Sequence, residues 1–335
     1  MRALRTDQRL GLVLLIVVLV AVFGAVRPAI FNSQLVVFPL LRDITVYTVV
    51  GLSQLCVLGI GHMNLAVGRM ASFSAMIMGL SYQDWHFPWY AGLAVGLVAG
   101  AAVGALAGWI IARTGVNSFV VTLAMDFALL GLVPLLYSVW TQFAAFTAKP
   151  AGLLELREYS LADLCVGQLC GSPAVPQLIV FALVAMGATA WIYGHTRLGR
   201  ELLMTGSNAV AAELSGIPTR TRVITAHLMS GALAGLAGFL LAVSTGSFKA
   251  SIGDDFLLPS FLGPILGGTL LAGGVISVVG TALGTAVTLV IREGLELLGV
   301  DLGSLNIYLG IVLLVALSFD RIRAVVVRTR SSVIR

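Results

Sequence analysis

Apolar positions run along this chain in long uninterrupted stretches, and the charged positions between them are clustered. Uncharged runs occupy 10–26, 85–112, 164–196, 223–248 and 256–291. About twenty apolar residues are enough to cross the hydrocarbon core of a bilayer, so several of these runs are spans and the longest hold more than one element. A backbone in lipid has to satisfy its own hydrogen bonds, which makes the spans helices. The pattern predicts an all-α integral membrane protein, a polytopic bundle of about ten embedded helices, at 10–27, 43–61, 65–82, 88–112, 117–140, 176–194, 222–244, 257–271, 274–298 and 304–320. The segments 65–82 and 257–271 are short and interrupted by glycine or polar residues, so each is expected to be a broken or re-entrant helix.

Composition agrees with this reading: 59% of the 335 residues are hydrophobic and 10% are charged, a surplus of apolar surface that a soluble domain has no means to hide. The net charge of +5 has a topological meaning. With the N-terminus inside, the inner segments hold Arg2, Arg5, Arg9, Arg69, Arg113, Arg197, Arg200, Arg220, Arg222 and five C-terminal arginines, while the outer segments hold Arg27, Arg42, Lys149, Arg157 and Lys249. That bias predicts both termini in the cytoplasm. Asp43, Asp84, Glu155, Glu158, Asp163, Asp254, Asp255 and Asp301 fall outside. The basic residues are spread along loop edges rather than gathered in an aromatic-laced patch, so a nucleic-acid partner is not expected. Residues 10–26, behind three arginines, also have the look of a secretory signal. A retained span is expected there, because the even parity of crossings needs it.

Glycine is the next informative residue, with 38 in the chain. Gly92, Gly96, Gly100, Gly104 and Gly108 recur every four positions, a slightly drifting helical stripe that lets a neighbouring backbone come close. Gly231 with Gly235, and Gly280 with Gly284, repeat the spacing. Packing inside one subunit and contact between subunits both use such stripes. Cys56 falls in a span; Cys165 and Cys170 fall in the outer loop 141–175, where an oxidising compartment permits a disulfide and the sequence leaves the pairing open.

Several chemistries are excluded. Lys149 and Lys249 are the only lysines and neither closes a phosphate-binding loop, so the chain is not expected to hydrolyse ATP. His62, His86, His195 and His227 are scattered, with no metal or nucleophile motif around them. No cofactor is expected on this chain, and no enzymatic activity.

The longest loop between spans, 195–222, carries the most specific string: His195-Thr-Arg-Leu-Gly-Arg-Glu-Leu-Leu-Met-Thr-Gly-Ser-Asn-Ala-Val-Ala-Ala-Glu-Leu-Ser-Gly-Ile-Pro218. It resembles the cytoplasmic loop of ABC-importer permeases of the ribose and simple-sugar group, T-R-x-G-R … G-x-N-x-x-A-A-x-x-S-G-I. Thr196, Arg197, Gly199, Arg200, Gly206, Asn208, Ala211, Ala212, Ser215, Gly216 and Ile217 occupy the matching positions. Asn208 is a natural N-cap, and Gly216 followed by Pro218 stops the short helix. The resemblance extends to Gly253–Pro259, Gly267–Gly274 and Val279–Gly284, and Asn117–Ala124 is similar to the group's N-P-F-I-x-T-L element with Ser118 in place of proline. Asn64-Leu-Ala-Val-Gly68 matches G-I-D-L-S-V-G with an amide where the group has an acid and with His62 and Met63 before it, a departure that bears on which solute is carried.

The resemblance implies a single membrane-spanning permease domain over 1–335, in the inner membrane of a bacterium, with a cytoplasmic coupling loop at 195–222. Gly206, Asn208, Ala211, Ala212, Ser215 and Gly216 would dock a separate ABC ATPase, which holds the ATP and Mg. A solute-binding protein would deliver a small polar solute, foremost a monosaccharide, to the outer loops, with Asp254 and Asp255 among the contacts. A second permease copy or close paralogue would complete the path, and membrane lipid surrounds it. His62, Asn64, Asn117, Phe119, Thr122 and Asp126 are the candidate wall of that path. For His62 and Asn64, beside the Gly59-x-Gly61 break, cavity lining and satisfaction of the break are both open. For Asp126, inside an apolar stretch, the readings are a wet pathway or a helix–helix hydrogen bond. Arg292, Glu293 and Glu296 are explained by interfacial exposure and i to i+4 pairing. The alternatives are a permease for branched-chain amino acids and, further off, an ion-driven secondary transporter.

Overall fold

A computed structural model of the protein describes residues 2–26, 34–140, 145, 146, 150, 152–163, 165, 166, 169, 170, 172–300, 307, 308, 310, 311 and 314. Among them, helices dominate: α1 (Arg2–Val26), α2 (Gln34–Leu58), α3 (Val67–Gln83), α4 (Trp89–Thr114), α5 (Ser118–Trp140), α6 (Leu153–Glu158), α7 (Ile179–His195), α8 (Arg197–Ser207), α9 (Ala209–Leu214), α10 (Thr219–Thr245), α11 (Leu257–Leu266) and α12 (Val278–Leu297). Six of them, α1, α2, α4, α5, α10 and α12, are long and apolar enough to cross a membrane, and α7 with α8 forms a further pair bent by 75°. The all-α polytopic reading holds. The segment expected at 304–320 lies almost wholly outside the described residues.

The second helix and the two segments expected to be irregular resolve differently. The second helix begins at Gln34 rather than near 43, because Pro39 sits in its second turn and removes only the bond to Leu35. The third starts at Val67 after an unwound stretch, 59–66, that lies against helices on several sides. The segment at 257–271 is a ten-residue helix, α11, about 15 Å long and too short to span. It ends at Gly267, and the loop to Ser277 folds it back on α12, with Gly263 against Gly284 and Gly267 against Gly280.

The glycine stripe is consumed inside the chain. Gly92, Gly96, Gly100, Gly104 and Gly108 are buried, with Ala107 and Ile111, as the packing face of α4. A Cβ on Gly100 would strike the Gly231 carbonyl, and one on Gly104 the His227 carbonyl, so α4 and α10 cross backbone to backbone. The core is centred on α2, α3 and α10, with Val49, Leu52, Leu55, Met70, Phe239 and Leu240 fully buried. On one side of the bundle, β1 (Ala145–Phe146) pairs antiparallel with β4 (Phe248–Lys249), and the Tyr137 hydroxyl donates to Phe248 O at 2.8 Å. In the loop before α7, β2 (Cys165–Val166) and β3 (Leu169–Cys170) form a hairpin whose register sets Cys165 opposite Cys170.

Candidate functional site: the unwound segment and the loop helices

After Leu58 the chain leaves helical geometry at Gly59–Gly61, with Gly61 left-handed at φ 74°. Such a break inside a bundle exposes peptide groups that need partners. Neighbouring helices supply them. The Gln54 side-chain amide, oriented with its NH2 toward the Asn64 carbonyl (3.0 Å) and its oxygen toward the Asn64 N–H (3.3 Å), satisfies both backbone groups of Asn64. Met63 N donates to Ser118 Oγ and Leu65 N to Thr122 Oγ1, each at 3.2 Å. The Asn64 side chain accepts from Ala66 N at 3.0 Å and donates to Ser230 Oγ at 3.0 Å, and Ser230 is in turn held by Ser53. An ionised aspartate at 64 would have to accept from the Ser230 hydroxyl where the amide donates to it, so acid and amide demand opposite orientations of that hydroxyl. His62 and His227 approach ring to ring, Nδ1 to Nε2 at 3.4 Å.

One face of α5 tracks the whole segment. Ser118, Thr122 and Asp126 are spaced i, i+4, i+8, a single helical stripe; the first two hold Met63 and Leu65, and the third faces Arg69 at 3.9 Å. Arg69 is also ion-paired with Asp254. Asp126 lies eight residues into α5, about 12 Å along the helix, so this charge cluster sits well inside the length of an apolar helix. Here the topology read from charge needs correction. Arg69 was expected in an inner segment and Asp254 in an outer loop, yet they touch. The cause is the unwound 59–66, which starts α3 partway through the bundle, together with the close approach of Gly68 to Gly253.

The expected path residues separate by exposure. Asn64 and Thr122 are wholly buried, with their polar atoms engaged by the break. Asn117 caps α5 through Phe119 N at 2.9 Å and is exposed, as is Phe119; Asp126 keeps part of its surface. Reading the sequence missed Gln54 altogether, and it placed Ser118, Arg69 and Asp254 without seeing that they meet around this segment. The 118-122-126 spacing was the visible signal for Ser118, whereas the pairing of positions 69 and 254 has no local signature.

In the loop after α7, Thr196 caps α8 by accepting from Gly199 N at 3.1 Å, and Asn208 ends α8 and caps α9 by accepting from Ala211 N at 3.0 Å. Gly216, at φ 78°, closes α9, with Ile217 N returning to Ala212 O at 3.0 Å. Glu201 accepts from Arg197 Nε at 2.6 Å and Arg222 Nε at 2.7 Å, which ties α8 to the start of α10. Those bonds, Arg197 first, hold the Glu201 carboxyl below the ordinary glutamate range. On α9, Val210, Ala211, Leu214 and Ser215 are exposed, whereas Ala212 is buried against the chain itself. Gly206 likewise faces inward. A Cβ there would collide with the Gly59 carbonyl and lie 2.8 Å from Gly274 N, and Gly274 N donates to Gly59 O at 3.0 Å. The end of α8 is thereby seated on both irregular segments, 59–66 and 267–277.

A bundle of long apolar helices interrupted by two irregular segments, with a helical loop packed on both, defines a membrane permease. The chain belongs to the family described as branched-chain amino acid transport system / permease component, whose model matches residues 36–317. It is 29% identical to the L-arabinose ABC transporter permease protein AraH of Azospirillum brasilense over 318 residues, 94% of this chain and 88% of that protein. It is 25% identical to the autoinducer 2 import system permease protein LsrD of Salmonella typhimurium LT2 over 299 residues, 88% and 86% of the two chains, and 26% identical to LsrD of Escherichia coli O9:H4, 89% and 87%. The simple-sugar ABC permease resemblance read from the coupling loop is thereby shown, and the chain is the membrane-spanning permease subunit of an ABC importer.

Proposed function

We propose that this permease carries a neutral monosaccharide across a bacterial inner membrane, with both termini cytoplasmic and energy supplied by a separate ATPase docked on α8 and α9. A solute-binding protein delivers the sugar from the opposite side, and a second copy or a close paralogue completes the path. The observation that carries this reading is the seating of Gly206 on Gly59 and Gly274: displacement of the loop helices is transmitted without slack to the break that holds His62–Asn64. A permease needs such a two-state element for nucleotide-driven closure of its partner to bias. The sugar assignment draws on the named solute of AraH and on the path wall itself. There Asn117, Phe119 and Asp126 present surface, while Asn64 and Thr122 hold the backbone behind them. The chain itself holds no ATP in this reading; ATP and Mg belong to the partner.

The family description favours a second reading, a branched-chain amino acid as solute. Co-purification with candidate ATPases, followed by uptake of labelled L-arabinose and labelled leucine into vesicles with the matching binding proteins, separates the two. ATP-dependent pentose uptake supports the proposal; leucine uptake alone replaces it; uptake by the permease without ATP or ATPase discards the importer mechanism.

A further inference from the structure

The structure assigns His227 as the residue that orients His62, so that His62 offers a hydrogen-bond donor, its Nε2–H, from the unwound segment to an oxygen of the transported solute. The solute's part in this rests on the proposed function; the state of the two rings stands without it.

The rings come from different elements, His62 from the break after α2 and His227 from α10. Nδ1 of His62 lies 3.4 Å from Nε2 of His227, and the ring centroids are 5.7 Å apart. The centroid separation is little more than the nitrogen gap plus a nitrogen-to-centre distance on each ring, so the two nitrogens aim at each other and share one proton. His227 is wholly buried, and its Nδ1 has no hydrogen-bond partner among the described residues. With no carboxylate paired to either ring among the described residues, each has a single N–H to place. A proton on His227 Nδ1 would be a buried N–H without an acceptor, a rare defect in folded chains. The proton therefore sits on Nε2, and His227 donates to His62 Nδ1. His62 in turn carries its own proton on Nε2.

That second nitrogen faces outward. His62 is half-buried beside the exposed Gly61, and its Nε2 is neither enclosed nor hydrogen-bonded among the described residues. Met63 N is bonded to Ser118, which sets His62 next to the exposed Asn117 and Phe119. The open side of the ring thus belongs to the proposed path wall, where an N–H takes a hydroxyl or carboxylate oxygen. Without His227 the ring could exchange tautomers and turn, and the path would meet a donor only part of the time.

Solid-state NMR of the full-length permease in liposomes, with isotope-labelled histidine, reads the tautomers without solute or partner. His86→Gln and His195→Gln leave the two rings alone in the spectrum. Both should carry Nε2–H, with the His227 proton correlated to His62 Nδ1, and in His227→Phe the His62 ring should divide between its two tautomers. A proton on Nδ1 of either ring, or a His62 signal indifferent to His227→Phe, would overturn the assignment. Uptake reads the consequence, in proteoliposomes with the ATPase and binding protein, using labelled L-arabinose, or labelled leucine where wild type takes up that alone. His227→Phe keeps a ring and loses the donor, so uptake should fall about tenfold, whereas His227→Gln, whose amide NH2 can stand in for Nε2–H, should recover most of it. Packing alone predicts the reverse order, because phenylalanine fills the buried site better. Equal uptake by these two variants, or wild-type uptake by His62→Phe, would overturn the role of His62. Leucine uptake alone strikes the sugar reading and leaves the ring pair to be judged on leucine.

Discussion

Arg69 and Asp254 are 185 residues apart in sequence and form an ion pair deep in the bundle, with Asp126 3.9 Å from the same guanidinium. Hydrocarbon does not tolerate such a cluster, so its exposed edge faces water or another polar surface. The side chains of Arg69, Asp126 and Asp254 are 19%, 28% and 43% exposed, which places the cluster between a buried and a surface pair. Arg69→Gln leaves two carboxylates facing each other. It is expected to destabilise the permease by about 1–3 kcal/mol, below the full cost of breaking a buried pair. Asp254→Asn in the same chain should restore part of that loss. Thermal denaturation of the two single variants and the double variant in detergent gives the coupling.

Glu201 gives the loop a pH dependence of definite sign. Its folded-state carboxyl is held below the ordinary value of 4.5 by Arg197 and Arg222, so its contribution to stability is complete above that value. The contribution is lost only as pH falls through the lower folded value. The melting temperatures of wild type and Glu201→Gln should therefore differ by a constant amount from pH 8 down to about 5 and converge below about 4. Convergence beginning near neutrality would mean that another group sets the effect.

The long spans were legible because hydrophobic runs, such as 85–112 and 223–248, report transfer into lipid residue by residue. The caps at Asn208 and Gly216 were legible for the same reason: each is a local hydrogen-bonding or backbone demand. What the sequence concealed was the depth of α3 and α11. Counting charges assumes that every element crosses the bilayer completely, and α3 begins partway through while α11 turns back, so Arg69 and Asp254 were assigned to opposite sides. The internal contact of Gly206 was hidden for a related reason. It stands in a loop motif that suggested contact with a partner, and the chain's own Gly59 and Gly274 occupy that contact.

Gly206→Ala therefore tests an internal joint. The added methyl meets a backbone carbonyl that has no freedom to yield, an overpacking cost of about 1–3 kcal/mol, and it should lower solute-stimulated ATPase activity of the assembled importer even where the ATPase still binds. Gly216 is the control, because nothing lies within 4 Å of a Cβ there and only its φ of 78° resists substitution. Gly216→Ala should cost about 1–2 kcal/mol and Gly216→Asn less. Melting temperatures measured beside ATPase capture separate the joint from the cap.

The exposed side of α9 tests the docking surface itself. Val210 and Leu214 are 69% and 85% exposed on adjacent turns. In the proposed docking, this apolar pair, held out at a loop end with Asn208 fixing the helix and Ala212 anchoring its opposite side, is what would enter a partner's groove. Leu214→Asp removes no internal contact, so it should change the permease's own stability by less than about 0.5 kcal/mol while ATPase co-purification falls sharply. Ala212→Leu should behave in the opposite way, lowering the melting temperature because the side chain has no space to enter. If Leu214→Asp captures ATPase as well as wild type does, the groove is filled from elsewhere on the loop, and the lever formed by α8, Gly206 and the break at Gly59 loses its input.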